Sequence, residues 1–283
     1  MKPKTLAVLI SAFFAGCGGG GGSESLVPES LAQPVCEAKQ PANTFATTGY
    51  RSLSTTAWGY SKVSSPVRLG RESQRFEVRA GDCAADPGWS DCANDRERSE
   101  ITVDQKLYSN QTRAISWSFY LGPDFQDSAN VKTTLGQIYS WHENKPAPIR
   151  GPVLQFELWG GQYQMCWHRI TGTVAAPSER CQYYPLTTLA QMKGRWTDVI
   201  VEINTSKTTG YAKVWLNGQL LVDIKEPVIF TEADYHFVKY GLYRSFVSRH
   251  GSPLPTQVAF FDEIRVAEKV SQVDLRCDLK PTD

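Results

Sequence analysis

Arg113-Ala114-Ile115-Ser116-Trp117-Ser118-Phe119-Tyr120-Leu121 alternates strictly between inward and outward residue types. Successive strand side chains point to opposite faces, so Ile115, Trp117, Phe119 and Leu121 go inward and Ser116, Ser118 and Tyr120 outward. The stretch reads as a half-buried strand. The same period recurs on both sides of it. Gln74 to Ala80 puts Phe76 and Val78 on one face and Arg75, Glu77 and Arg79 on the other. Val153 to Trp159 puts Leu154, Phe156 and Leu158 on one side and Gln155, Glu157 and Trp159 on the other. Asp198 to Ile203 and Tyr211 to Ile224 follow, the second broken by Asn217-Gly218, the signal of a type I′ hairpin. Val258 to Val266 closes the series, with Val258, Phe260, Ile264 and Val266 in register. Thr187 to Met192 hints at one short helix. Many alternating strands with turns between them indicate an all-β, antiparallel β-sandwich. With no internal repeat and no dividing linker, residues 34–283 read as a single domain. One sheet of such a sandwich can curve into a concave binding groove, and Tyr120, Gln155, Glu157 and Trp159 are candidates to line it.

The N-terminus reads as a targeting segment. Lys2 and Lys4 precede a short apolar run from Leu6 to Ala15, too short to span a bilayer. Phe14-Ala15-Gly16-Cys17 resembles a bacterial lipoprotein cleavage box, with Phe14 where Leu is usual and Cys17 as the lipidated residue. Residues 1–17 are therefore expected to be a lipoprotein signal peptide. Residues 18–33 open with Gly18 to Gly22 and form a flexible tether. The expected location is exported, as an outer-membrane lipoprotein held by an N-terminal lipid anchor.

Six cysteines remain: Cys36, Cys83, Cys92, Cys166, Cys181 and Cys277. An even number in an exported chain implies disulfides. Cys83 and Cys92 flank a Pro-Gly turn, and Cys166 and Cys181 flank a Gly- and Pro-containing excursion. The spacing favours those two pairs and leaves Cys36 with Cys277 to join the two ends of the domain. A zinc site is disfavoured, because no Cys-x-x-Cys or paired His spacing is present.

Of 30 Lys and Arg residues, Lys2 and Lys4 lie in the leader, which leaves 28 against 29 Asp and Glu. Attraction for an anionic partner must then come from a local patch, and general nucleic-acid binding is excluded. Such a patch is visible in Asn94-Asp95-Arg96-Glu97-Arg98-Ser99-Glu100-Ile101. Alternation gathers Arg96, Arg98 and Glu100 on one face and sends Asp95 and Glu97 to the other. Two arginines and a carboxylate on a rigid strand suit an anionic ligand.

Three segments then point the same way. Arg98-Ser99-Glu100-Ile101 resembles the Arg-Ser/Thr-Glu-Leu strand of jelly-roll polysaccharide lyases of the alginate lyase type. Gln137-Ile138 resembles the start of their Gln-Ile-His motif, with Tyr139 standing where His is expected. Lys239-x-Gly241-x-Tyr243 resembles the core of their Tyr-Phe-Lys-Ala-Gly-x-Tyr motif. Arg75-Phe76-Glu77-Val78-Arg79, Asp95 to Glu100, the Gln137…Trp141-His142 segment and Gly241-Leu242-Tyr243-Arg244 resemble still more closely the heparin lyase I-like polysaccharide lyases. The likeness runs from about residue 60 to 268. It implies a jelly-roll, concanavalin A-like sandwich and cleavage of an anionic, uronate-containing polysaccharide by β-elimination.

That chemistry explains the residue types. A lyase removes the weakly acidic C5 proton of a uronate and expels the C4 oxygen. Neutralising the adjacent carboxylate stabilises the enolate-like intermediate, a role the resemblance gives to Arg98 and Gln137. His142 and Tyr243 are the candidate base and acid, although strict alternation puts His142 on the opposite face from Gln137. Arg96, Glu100, Tyr139, Gln155, Glu157, Trp159, Lys239 and Arg244 are candidate substrate contacts. Lys145, Arg150 and Arg249 are candidate loop contacts, while His168, His236 and His250 read as structural or loop-borne. No cofactor is expected. The resemblance leaves room for a structural calcium ion, but no Asp-rich loop has ligand spacing, so no metal site is assigned. The partners expected are an anionic poly- or oligosaccharide and the membrane, with a monomeric protein. The alternative class is a non-catalytic, lectin-like carbohydrate-binding lipoprotein. A sandwich glycoside hydrolase ranks below both, because its Glu-x-Asp-x-x-Glu pattern is absent.

Overall fold

The computed structural model describes residues 50–52, 56–83, 85–86, 89–145 and 151–278. Residues 1–17, 18–33, Cys36 and Arg150 lie outside these. Sixteen strands are described in chain order. They are β1 (Tyr50–Ser52), β2 (Tyr60–Val63), β3 (Ser73–Val78), β4 (Ala85–Asp86), β5 (Trp89–Ser90), β6 (Arg96–Thr102), β7 (Thr112–Leu121) and β8 (Lys132–Trp141). After them come β9 (Pro152–Trp159), β10 (Gln162–Gly172), β11 (Pro177–Thr188), β12 (Trp196–Asn204), β13 (Tyr211–Leu216), β14 (Gln219–Ile224), β15 (Tyr235–Ser245) and β16 (Gln257–Ala267). Two short helices, α1 (Leu189–Met192) and α2 (Val270–Val273), are the main helical elements. The front sheet runs β1-β6-β15-β8-β9-β10-β11 and the back sheet β14-β13-β12-β7-β16-β3-β2. Every paired strand in both is antiparallel.

The alternation seen in the sequence builds the core. Ile115, Trp117, Phe119 and Leu121 of β7 are all buried between the sheets, opposite Leu154, Phe156 and Leu158 of β9. Trp117 meets Phe156 edge-on at 5.0 Å and Phe119 meets Tyr163 at 5.2 Å, the arrangement favoured by aromatic quadrupoles. Gly136 of β8 makes room for Trp117, since a Cβ there would lie 2.9 Å from the indole. The β13–β14 hairpin turns through Asn217 and Gly218, both at positive φ, as the Asn-Gly signal required.

Three expectations are corrected here. Ser116 and Ser118 point outward but are buried: α2 packs over that face of the back sheet, with Val273 in a second small core beside Ala114, Ile200, Trp215 and Ala267, and Ser118 donates to Asp198 of the Arg68–Asp198 pair at 2.6 Å. Tyr120 belongs to the back sheet, packed between Trp196 and Phe260, and so cannot line a groove on the front sheet. In β16 the residues in the core between the sheets are Ala259, Phe261, Ile264 and Val266, while Val258 and Phe260 face out. A bulge between Asp262 and Arg265, with Glu263 at φ +55°, shifts the period within that strand.

Two of the disulfides favoured by spacing are present, Cys83–Cys92 and Cys166–Cys181. Cys277 is also disulfide-bonded.

Candidate active site

Residues paired across neighbouring strands share a face. Arg98 of β6 pairs with Tyr243 of β15, Tyr243 with Thr134 of β8, Thr134 with Glu157 of β9, and Glu157 with Gln164 of β10. A second row joins Thr102, Lys239, Gln137, Gln155 and Cys166. Both rows lie on the face of the front sheet turned away from the back sheet.

The first cluster centres on Arg98. Its Nε and Nη2 donate to the two carboxylate oxygens of Asp91, each at 2.7 Å, and Nη1 donates to Glu100 at 3.2 Å. Three of the five guanidinium N–H groups are thus engaged by the protein's own carboxylates. Burial works against the charge, but Glu100 and Asp91 outweigh it and hold the Arg98 pKa above its ordinary value. Glu100 also accepts from Gln137 Nε2 at 2.5 Å and lies 3.6 Å from Lys239 Nζ. Burial pulls the Lys239 pKa down; Glu100 opposes this, and the neighbouring Arg98 charge adds to it. Tyr243 is clamped by both arginines. The Arg98 guanidinium sits 4.0 Å over its ring, and Arg96 Nε donates to its hydroxyl at 3.0 Å.

Gly241 explains how β15 comes this close to β6. Its φ is +134°, and a Cβ would lie 2.4 Å from Ser99 O. Alternation from Lys239 through Gly241 then keeps Tyr243 on the outer face, in unbroken register with β6. Toward β9–β11 the same face carries Lys132, whose Nζ bridges Glu157 at 3.0 Å and Tyr183 Oη at 2.6 Å. Burial lowers the Lys132 pKa, but Glu157 and Tyr183 outweigh it and the net shift is upward. Lys132 also lies 5.0 Å over Trp159. Gln155 Nε2 donates to Thr134 at 2.5 Å, and its Oε1 lies 3.0 Å from His168 Nε2. His168 Nδ1 meets Glu179, whose pKa that contact holds down.

The structure therefore brings Arg96, Arg98, Glu100, Gln137, Lys239 and Tyr243 together. Tyr139 lies beside them, its ring 5.7 Å from Lys239 Nζ. Three assigned residues lie elsewhere. His142 follows the end of β8 and lines a cavity there with Ser140, His168, Val228 and Ile229. Arg244 is fully buried between the sheets against Glu97, 2.5 Å away, since it neighbours the outward-facing Tyr243. Glu157 faces the right way but is fully buried beneath Lys132 and Gln164. It anchors them and has no surface to offer a ligand. Sequence reasoning missed Asp91, Lys132 and Tyr183. Asp91 is separated from β6 by the turn Cys92–Asn94 and by Asp95 at φ +61°, and no periodicity crosses such a turn. Among the described residues no group of three or more His, Cys, Asp or Glu side chains is arranged to hold a metal ion.

Fold and site define an antiparallel two-sheet sandwich with a charged open face on one sheet. Residues 42–265 match the protein family described as Polysaccharide lyase, and the chain belongs to that family. Among solved structures, an endo-β-1,4-glucuronan lyase from the fungus Trichoderma reesei superposes with a TM-score of 0.62 at 18% identity, over 80% of this chain and 92% of that one. A double-cysteine variant of alginate lyase A1-II′ superposes with a TM-score of 0.52 at 14% identity, over 76% and 85%. A variant of that alginate lyase in complex with a substrate gives 0.52 and 14%, over 76% and 83%. At such identities the likeness establishes a shared fold. No curated protein sequence matches the chain.

Proposed function

We propose that this protein cleaves an unsulfated, uronate-containing polysaccharide by β-elimination, with Tyr243 moving the proton. The observation that carries this reading is the clamp of Arg96 and Arg98 on Tyr243, one strand from Gln137 and beside Lys239. A uronate carboxylate lying over Lys239, Gln137 and the two remaining N–H groups of Arg98 meets donors fixed before it arrives. The C5–H bond then breaks, its electron pair forms the C4=C5 double bond, and the C4–O bond breaks toward the leaving sugar. The C5 proton goes to Tyr243, whose hydroxyl gives a proton to the leaving O4. Charge left on that oxygen faces the Arg96 guanidinium. In this reading Tyr243 serves as both proton acceptor and proton donor. That requires C5–H and C4–O on one face of the sugar, as in glucuronate or mannuronate.

Charge pairing on this face supports an unsulfated substrate. Arg98, Lys239 and Lys132 each already have a carboxylate of the protein against them. A densely sulfated chain calls for unpaired cations, whereas a chain with one carboxylate per sugar needs only a few. The heparin lyase I-like motifs, Asp95–Glu100 and Gly241–Arg244, then support a relationship in site layout and not in substrate sulfation.

Tyr243→Phe is expected to lower the rate on polyglucuronate about 10²–10⁴-fold with an unchanged unfolding midpoint, while Tyr139→Phe retains most of it. The opposite pattern would transfer the role to Tyr139. Faster cleavage of heparin than of an unsulfated polyglucuronate would overturn the substrate class. The leader ending in Cys17 supports an exported, lipid-anchored enzyme. Cys17→Ser should move the protein from the membrane to the soluble fraction of bacterial cells, and continued membrane association would contradict the anchor.

A further inference from the structure

Asp91 holds more than Arg98. It is fully buried, and the carboxylate oxygen that accepts from Arg98 Nη2 also accepts from Trp89 Nε1 at 2.9 Å. Trp89 and Arg98 are therefore neighbours on one oxygen. The strand β5 that carries Trp89 lies inside the loop closed by Cys83–Cys92, and the Asp91 carbonyl accepts from Arg96 N at 2.8 Å, which fastens the loop to β6. Yet Trp89 is 42% exposed, unusually open for so large an apolar side chain.

Other exposed tryptophans on the molecule are already covered on a ring face. Arg79 lies 4.4 Å over Trp58, and Trp141 stacks on Tyr235. Among the described residues no ring and no cation packs on Trp89. Its one polar atom is satisfied internally, so the exposed part of the side chain is apolar. An indole held in this way suits the apolar C–H face of a pyranose ring, whose hydroxyls remain in water.

We infer that Trp89 is a sugar-stacking subsite, binding a pyranose of the polysaccharide next to the uronate held at Arg98. The inference rests on the polysaccharide-cleaving reading of the Arg98–Tyr243 face and names a specificity-determining residue for it. Because Trp89 and Arg98 share Asp91, the stacked sugar is registered against the reacting one. The subsite is indifferent to sulfation and reads the ring rather than the charge.

The test is calorimetric titration of uronate oligosaccharides of two to eight sugars into the Tyr243→Phe protein, alone and with Trp89→Ala or Trp89→Phe. Trp89→Ala should weaken binding of the longer oligosaccharides about ten-fold, the loss expected for one aromatic contact. Trp89→Phe should recover most of it, and the shortest oligosaccharides should be insensitive. Unfolding midpoints should match in all three proteins. Equal affinity across the variants would overturn the subsite even if polyuronate is cleaved, and so would a failure of every oligouronate to bind. Trp89-dependent binding in a protein that cleaves nothing would leave the subsite standing and overturn the lyase reading.

Discussion

At Gly241 the backbone has φ +134°, and an added Cβ would lie 2.4 Å from Ser99 O and 2.9 Å from Glu100 Cα. Both obstacles are backbone of β6, so neither can swing aside. Gly241→Ala must push β15 off β6 at the point where Tyr243 faces Arg98. The expected outcome is a lowered unfolding midpoint together with loss of lyase activity, measured by denaturation and by release of ultraviolet-absorbing ends. Wild-type stability and activity in this variant would show that the close approach is not needed. The spacing Lys239-x-Gly241-x-Tyr243 marked this residue in the sequence, and the physical reason is now plain. Alternation likewise collected Arg96, Arg98 and Glu100. The same alternation carried Arg244 inward, so that placement was readable from the pattern. Asp91 was not, because the turn at Cys92–Asn94 brings it back onto β6 through space.

The inner face of β15 shows what an element does with polar side chains that its pattern turns into the core. His236 is fully buried there, with Nδ1 2.9 Å from Ser140 Oγ of β8. Burial, helped by the charge of nearby His142, depresses its pKa to about 4. The unfolded chain takes up this proton near pH 6.5, whereas the folded one resists until about pH 4. His236 therefore costs nothing above pH 6.5, and stability falls as pH drops from 6.5 to 4, by about 3 kcal/mol. Urea midpoints across that window should slope downward with falling pH, and the slope should flatten in His236→Gln. An equal slope in both proteins would remove His236 from the acid sensitivity. At this scale the strands themselves were legible, since β3, β7 and β9 follow their periods closely. The bulge in β16 was not, because a single extra residue leaves the composition unchanged while turning every later side chain over.

For the whole molecule, two sheets bury an aromatic core and leave one polar face on which a row from β6 to β10 collects cations, carboxylates and a tyrosine. The sandwich was legible because both layers depend on period-two patterning over long strands. Less legible was which open face carries the chemistry: Tyr120 sits on the back sheet and Tyr243 on the front, though each lies outward on its strand. The near balance of acidic and basic residues recurs locally, where Arg98, Lys239 and Lys132 each sit against a carboxylate. The central claim is that this face breaks a glycosidic linkage by elimination, without adding water. Mass spectrometry of the products from an unsulfated polyglucuronate digested in isotopically labelled water tests it most directly. Unsaturated, ultraviolet-absorbing oligosaccharides carrying no label at the new ends are expected. Saturated products with labelled ends would identify a hydrolase, and polyuronates bound but left intact would identify a binding protein; either result would contradict it.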